Sequence, residues 1–308
     1  MIKGVCLMAG NIWLWLRYFV FYPIFSLTPP PYPYLFCRLL SRLDYWCSSG
    51  KRRAIQKWMV ALLEKPLLGN GKLDQAIRRY FEVIYCDEID NFIYLLGFSK
   101  WFLRRLRIEG QENLTEVLQR GGAAILICYH FGGGFWVLPF LREKGVRIQF
   151  FSRDIRKEDY PSGKALFYFY RLSNWAIGRM FDRDVSYKGG GRSSLIQALQ
   201  EGFWVTTAFD APPYLIKEST EVDFLGRRTR FPKGLVSMAK ALDVPILPFF
   251  SFLEAGKERR ICFERPLYVD DEQKAVEQCV RLLEERIMER PDHWHLWPSA
   301  EDFFGSSS

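Results

Sequence analysis

Three rhythms of apolar and polar positions run through this 308-residue chain. Between residues 51 and 105 the apolar positions recur at helical spacing, as Ile55, Trp58, Met59 and Leu62 and again as Ile77, Tyr80, Phe81 and Ile84. Lys65 to Lys72 (KPLLGNGK) reads as a turn between these two helices. From about Arg107 short continuous apolar runs alternate with helical ones. Ala123–Cys128, Val146–Phe151, Phe203–Phe209, Pro245–Leu253 and Arg260–Leu267 read as strands, the shorter ones apolar enough to be buried on both faces. Helices are predicted over Gly163–Met180 and Gly234–Leu242, and over a stretch carrying Leu195, Ile196 and Leu199 that Ser193 or Ser194 caps and Gly202 ends. Gly189, Gly190 and Gly191 form a loop before it. A closing amphipathic helix carries Val276, Cys279, Val280, Leu283 and Ile287. The alternation predicts an α/β fold with a largely parallel central sheet covered by helices. Its divisions are an N-terminal hydrophobic segment (1–50), a helical cap (51–105), the α/β core (106–290) and a C-terminal tail (291–308) ending loosely at Gly305–Ser308.

The third rhythm lies at the start. Gly4 to Thr28 is apolar and aromatic, with Trp13, Trp15, Tyr18, Phe19, Phe21, Tyr22 and Phe25, but Arg17 and Pro23 interrupt it. It is not a clean run long enough to cross a bilayer. A proline block (Pro29, Pro30, Pro31, Pro33) follows where a signal peptide would show a small-residue cleavage site. The readings are a single span with Arg17 snorkelling or paired, an aromatic segment lying in the membrane interface, or a buried helix of a soluble core. For a span, Arg38, Arg42, Lys51, Arg52 and Arg53 against Lys3 keep the bulk of the chain cytoplasmic.

Composition sharpens this picture. Aromatic content of 17% suits contact with lipid or a greasy ligand, and a net charge of +8 suits an anionic partner: nucleic acid, an acidic carrier protein or anionic headgroups. Nucleic acid is disfavoured because the basic residues neither concentrate on one helix nor sit in a recognition module. The seven cysteines are scattered without a CxxC pair, which supports neither a zinc site nor a disulfide framework and fits reduced, cytosol-facing thiols.

Candidate chemistry gathers in Ala123–Trp136, AAILICYHFGGGFW. His130 falls at the carboxyl end of its strand, where open sheets place ligands. Gly132, Gly133 and Gly134 let the backbone turn and approach a substrate, and a helix from Phe135 to Leu141 would aim its first amides at an anion or oxyanion. Asp210 ends a later strand as His130 ends the first. Cys128 reads as a packed cysteine. His293, Trp294, His295 and Trp297 read as core packing. Lys188, Arg192, Arg227, Arg228, Arg230 and Lys233 form either a basic rim for phosphorylated headgroups or an acidic carrier protein, or an ordinary solvated surface.

The order of these features resembles a family. An aromatic N-terminus and a helical region precede a strand ending His130-Phe131-Gly132 and another ending at Asp210. Then come Phe224-Leu225-Gly226, Phe231-Pro232-Lys233-Gly234, Val244-Pro245-Ile246-Leu247-Pro248 and Pro291-Asp292-His293-Trp294. The chain is similar to the late acyltransferases of lipid A biosynthesis, the lauroyl/myristoyl branch of the lysophospholipid acyltransferase superfamily. The resemblance implies a glycerolipid-acyltransferase-like fold and transfer of an acyl group from a thioester. The donor would be linked to acyl carrier protein or coenzyme A, with no further cofactor and no metal. The acceptor would be a lipid A-type glycolipid or another lipid, reached from the cytoplasmic side of the inner membrane. It also implies His130 as general base and a functional arginine at Arg171 (Arg171-Leu172-Ser173-Asn174-Trp175) for an acceptor phosphate or the oxyanion. One departure stands out. The family pattern is a histidine, four residues, then Asp or Glu, and here that position is Phe135. Either a carboxylate from elsewhere reaches His130, with Asp210 ahead of Asp154, or the acceptor is a better nucleophile such as an amine. An unusual group such as an aminoacyl is a further reading. The last is a non-catalytic homologue that binds lipid or a partner protein.

Overall fold

The computed structural model describes residues 11–63, 69, 71–152, 154–160, 164–181, 185–187, 191–254 and 258–305, the side chain of Tyr187 excepted. Residues 1–10 of the hydrophobic segment, most of the Lys65–Lys72 turn, and Lys188, Gly189 and Gly190 lie outside them. Seven strands form one sheet: β1 (Arg107–Glu109), β2 (Ile125–Cys128), β3 (Ile148–Ser152), β4 (Ser186–Tyr187), β5 (Trp204–Ala208), β8 (Ile246–Leu253) and β9 (Arg259–Phe263). Their order is β1-β9-β8-β2-β5-β3-β4, and every pairing is parallel except β8 with β9. The antiparallel exception follows from the short connection between those strands, since parallel neighbours need a crossover.

The helices are α1 (residues 11–26, with a π turn at Arg17–Phe21), α2 (Tyr32–Cys47), α3 (Ser49–Leu62), α4 (Lys72–Leu96), α5 (Ser99–Leu103) and α6 (Gln111–Arg120). They continue with α7 (Val137–Glu143), α8 (Lys164–Phe181), α9 (Gly191–Gln200), α10 (Gly234–Leu242), α11 (Glu272–Glu289) and α12 (Glu301–Phe304). Ser193 and Ser194 lie inside α9 rather than capping it. Residues 219–232 add a feature the chain's rhythm does not announce, a hairpin of β6 (Ser219–Phe224) and β7 (Arg227–Pro232). Leu225 and Gly226 both take positive φ, as a two-residue hairpin turn requires, and Val222, Phe224, Thr229 and Phe231 point inward.

Alternation along β2 divides the interior. Ile125, Ile127, Tyr129 and Phe131 enter one core with α3, α9, α10 and α11, whereas Ala124 and Leu126 enter the other with α1, α2, α7 and α8. Helix α4 serves both cores, through Ile77, Tyr80 and Phe81 on one side and Tyr85, Ile89 and Phe92 on the other. The cap is thus part of the central packing. So is the C-terminal tail: Trp294, Trp297 and Phe303 are buried in the first core.

The N-terminal helix is inside-out. Arg17 points inward, where its Nη2 lies 3.0 Å from Glu88 Oε1 of α4, and Tyr18 and Tyr22 donate to the same carboxylate at 2.8 and 2.7 Å. Ile12, Leu16, Val20 and Ile24 point outward. Helix α2 repeats the pattern, with Leu35, Leu39, Leu43 and Trp46 exposed in one stripe. Among the described residues no helix is long and apolar enough to cross a membrane. The spanning reading therefore finds no support from residue 11 onward.

Candidate active site

Parallel register brings the two strand ends together. Cys128 of β2 is level with Ala208 of β5, so His130 and Asp210, each two residues further on, arrive side by side. The His130 Nδ1 lies 2.9 Å from Asp210 Oδ1, and the His130 backbone N–H donates to the same oxygen at 2.8 Å. Trp294 Nε1–H donates to the other oxygen, Oδ2, at 3.0 Å. Asp210 is wholly buried, whereas 43% of the His130 side chain is open to solvent.

Charge follows from this geometry. Burial pushes the Asp210 carboxyl up, but His130 and the three N–H donors outweigh it and hold its pKa below the ordinary value. Burial also disfavours a charged His130, yet the Asp210 carboxylate overrides it and raises the imidazole above 6.5. An ionised Asp210 accepts at Nδ1, which assigns the ring proton there and leaves Nε2 as a free base facing the opening. With Phe135 at the motif position, the carboxylate that reaches His130 comes from the end of a neighbouring strand. Phe135 itself packs in the second core, edge-on to Tyr94 at 5.6 Å between ring centroids.

The glycines have a different role from the expected substrate approach. Gly132 and Gly133 are buried. A Cβ on Gly132, whose φ is +53°, would stand 1.8 Å from the Ser251 carbonyl oxygen, and one on Gly133 would stand 2.4 Å from Asp87 Oδ1. Small size here admits neighbouring chain, not ligand. Gly134, half-buried, would bring its Cβ only to ordinary contact with Phe249. Gly132→Ala combines left-handed strain with a backbone overlap and is expected to cost about 2–5 kcal/mol, read as a lowered urea midpoint.

Among the described residues, the remaining expected ones have other partners than the dyad. Arg171 is exposed on α8, its guanidinium 5.9 Å from the Phe167 ring centroid. Arg192 pairs with Glu218 at 2.7 Å, and Arg228 approaches Glu221 and Asp223 of its own hairpin at 3.6 and 3.9 Å. Two of the expected rim cations therefore have acidic partners within the chain. Lys233 immediately precedes α10, and its N–H donates to the Glu218 carbonyl. Asp154 pairs with Arg156 at 2.8 Å, not with His130. Cys128 is packed, its thiol pushed up to about 12 by burial. No described group of His, Cys, Asp and Glu is arranged to hold a metal, and the described cysteines are unpaired.

Trp294 and His295 are what the packing reading of the C-terminus missed. Residues 293–295 run antiparallel to 130–132: Gly132 N–H donates to the His293 carbonyl at 2.9 Å and His295 N–H to the His130 carbonyl at 2.7 Å. The cue in the sequence was density, two of three histidines and two tryptophans within Pro291–Trp297.

A half-open imidazole oriented by a buried carboxylate, at the carboxyl edge of a parallel sheet, marks an α/β protein equipped for general-base chemistry. The sequence model of the bacterial lipid A biosynthesis acyltransferases matches residues 71–297. The chain belongs to that family. It is an acyltransferase acting on lipid-type substrates. No curated protein matches it in sequence. Among solved structures it is similar to the 1-acyl-sn-glycerophosphate acyltransferase PlsC from Thermotoga maritima, at 14% identity over 83% of this chain and 98% of that one, with a TM-score of 0.37.

Proposed function

We propose that this protein moves an acyl, or aminoacyl, group from a thioester on acyl carrier protein or coenzyme A onto a lipid A-type glycolipid or related lipid, with His130 as general base. The observation that carries the reading is the His130–Asp210 pair. His130 Nε2 takes the proton of the acceptor hydroxyl or amine as its oxygen or nitrogen attacks the thioester carbon. Asp210 holds the ring and balances the imidazolium. The tetrahedral intermediate then expels the thiolate, which recovers the proton from His130. The new ester or amide bond replaces the thioester bond, and the thiol leaves. No further cofactor enters. The direct test is transfer from radiolabelled acyl carrier protein or acyl coenzyme A to lipid by the purified protein in mixed micelles. Mass spectrometry of total lipids with and without the gene identifies the product. Absence of any acylated lipid in both sinks the reading.

Two features support work at a membrane surface, on the cytoplasmic side of the inner membrane. The outward apolar stripes of α1 and α2 lie next to each other through Phe25 and Phe36. Arg38 and Arg42 are exposed among the α2 leucines, and Asp44 is the one acid between residues 11 and 63. Apolar residues interleaved with cations suit an anionic lipid interface. Trp15 meets Tyr168 at 5.7 Å, so the surface continues onto α8, where Trp175 and Arg171 are also exposed. Its exposure on that surface supports a role for Arg171 with a lipid phosphate. Leu39→Asp combined with Leu43→Asp is expected to weaken binding to anionic vesicles by about tenfold or more, measured by co-sedimentation, with an unchanged melting temperature.

A further inference from the structure

At the corner between α4 and α5 lies a surface cleft of about 760 Å³, lined by residues 97–101, 104 and 105. Sites that hold small ligands span about 300–1,000 Å³, so the space is sufficient for a headgroup. Its charge is one-sided. From 91 to 108 the sequence has Lys100, Arg104, Arg105 and Arg107 and no acid. Arg107 pairs with Glu258 at 2.6 Å, but Lys100, Arg104 and Arg105, all exposed, meet no carboxylate among the described residues. The Arg104 N–H donates to the Lys100 carbonyl at 3.2 Å. These two cations therefore lie one helical turn apart, a like-charge spacing that costs stability when no anion answers it. The Arg105 guanidinium stands 4.1 Å from the Trp101 ring centroid, which holds the group without supplying it a carboxylate.

The surroundings of the cleft are apolar and continuous with α1. A Cβ on Gly97 would stand 2.0 Å from the Ser26 carbonyl oxygen, so the end of α1 abuts the wall of the cleft. Leu27, next to Ser26, and Leu96 and Phe98, on either side of Gly97, are exposed. We propose that this cleft binds the phosphoryl headgroup of an anionic phospholipid. Lys100, Arg104 and Arg105 meet the phosphate oxygens, and the exposed apolar residues meet the acyl chains. Two arginines offer forked donors that match a phosphate, and the ammonium adds a point charge. An acidic protein would also answer the charge, but the join with the outward apolar stripe of α1 favours a lipid. No residue of the His130–Asp210 pair lines the cleft, so the lipid held there orients the protein and is not its substrate. The proposal rests on the membrane-surface reading of α1 and α2, which vesicle co-sedimentation tests separately.

Trp101, beneath Arg105, reports on the cleft through its indole N–H signal in a 1H–15N spectrum of the full-length protein, assigned by its absence from Trp101→Phe. Dihexanoylphosphatidylglycerol, kept below the concentration at which it forms micelles, is expected to shift this signal. Dihexanoylphosphatidylcholine is expected to leave it in place, and inorganic phosphate to need a concentration about tenfold higher or more, lacking the apolar part. Arg104→Lys combined with Arg105→Lys keeps the charge but removes the forks, and is expected to raise the lipid midpoint about fivefold or more. No shift with the phosphatidylglycerol, an equal shift with the phosphatidylcholine, a phosphate midpoint as low as the lipid's, or a lysine variant as tight as wild type overturns the proposal. So does a shift with acyl carrier protein and none with the lipid, which would make the cleft a protein-docking site. The wild-type titration decides even if the lysine variant does not fold. A Trp101 shift in a protein that acylates no lipid would count against the acyl-transfer reading and not against this one, and intact transfer without the shift does the reverse.

Discussion

His130→Ala is expected to lower transfer by about 10⁴-fold, in line with removing the base from a histidine–carboxylate unit, while the protein remains folded. The two halves of this result have separate causes. Activity falls because Nε2 is the one basic atom that the dyad presents at the opening, and no other described residue shares the Asp210 carboxylate except the Trp294 N–H. The fold persists because 43% of the imidazole is already in solvent, so truncation leaves little void, and Asp210 keeps two of its three donors. Rate measurement on labelled lipid product, paired with thermal unfolding, checks both halves. A variant that turns over at the wild-type rate would remove His130 from the chemistry.

Asp210→Asn is expected to reduce turnover by about 10³–10⁴-fold and to displace the pH profile toward acid. The sign follows from the pair. With His130 as the proposed general base, turnover requires its neutral form; the Asp210 charge raises its pKa above 6.5 against the opposing effect of burial, so the wild-type rate is expected to climb with pH through that raised value. Without the charge, burial acts unopposed and the profile moves to lower pH. Stability has the complementary window. The raised imidazole contributes fully below 6.5, and its contribution is lost as pH rises through the folded value. The depressed carboxyl contributes above 3.8 and loses its contribution as pH falls through its folded value. The stability gap between wild type and Asp210→Asn is thus widest between 3.8 and 6.5. Urea midpoints at pH 5 and pH 9 measure it. A gap that grows toward alkaline pH would mean the pair is not ionised as its geometry implies.

The positions of β2 and β5 were legible because buried parallel strands are continuous apolar runs, and the polar residue ending each run marks the sheet's carboxyl edge. The amphipathic helices were legible for the same local reason: Ile55, Trp58 and Met59, or Val276, Cys279 and Val280, lie on one face by spacing alone and are buried together. The β6–β7 hairpin was not, since its turn places a leucine rather than a glycine or asparagine at the first positive φ, Leu225, where β-turn statistics offer no cue.

What the sequence by itself determined is therefore local: the strand and helix periods, His130 and Asp210 at the strand ends, and the loss of the acid at Phe135. Which carboxylate serves His130 was decided by the tertiary structure, because it depends on the register between strands 80 residues apart in the chain. The same holds for Gly132 and Gly133, whose small size answers to Ser251 and Asp87, and for Trp294 and His295, which the closing segment lays against residues 130–132. It holds again for Arg17, which faces Glu88 and so turns its helix's apolar side outward. Periodicity reports which face of an element is apolar; only packing decides what that face meets.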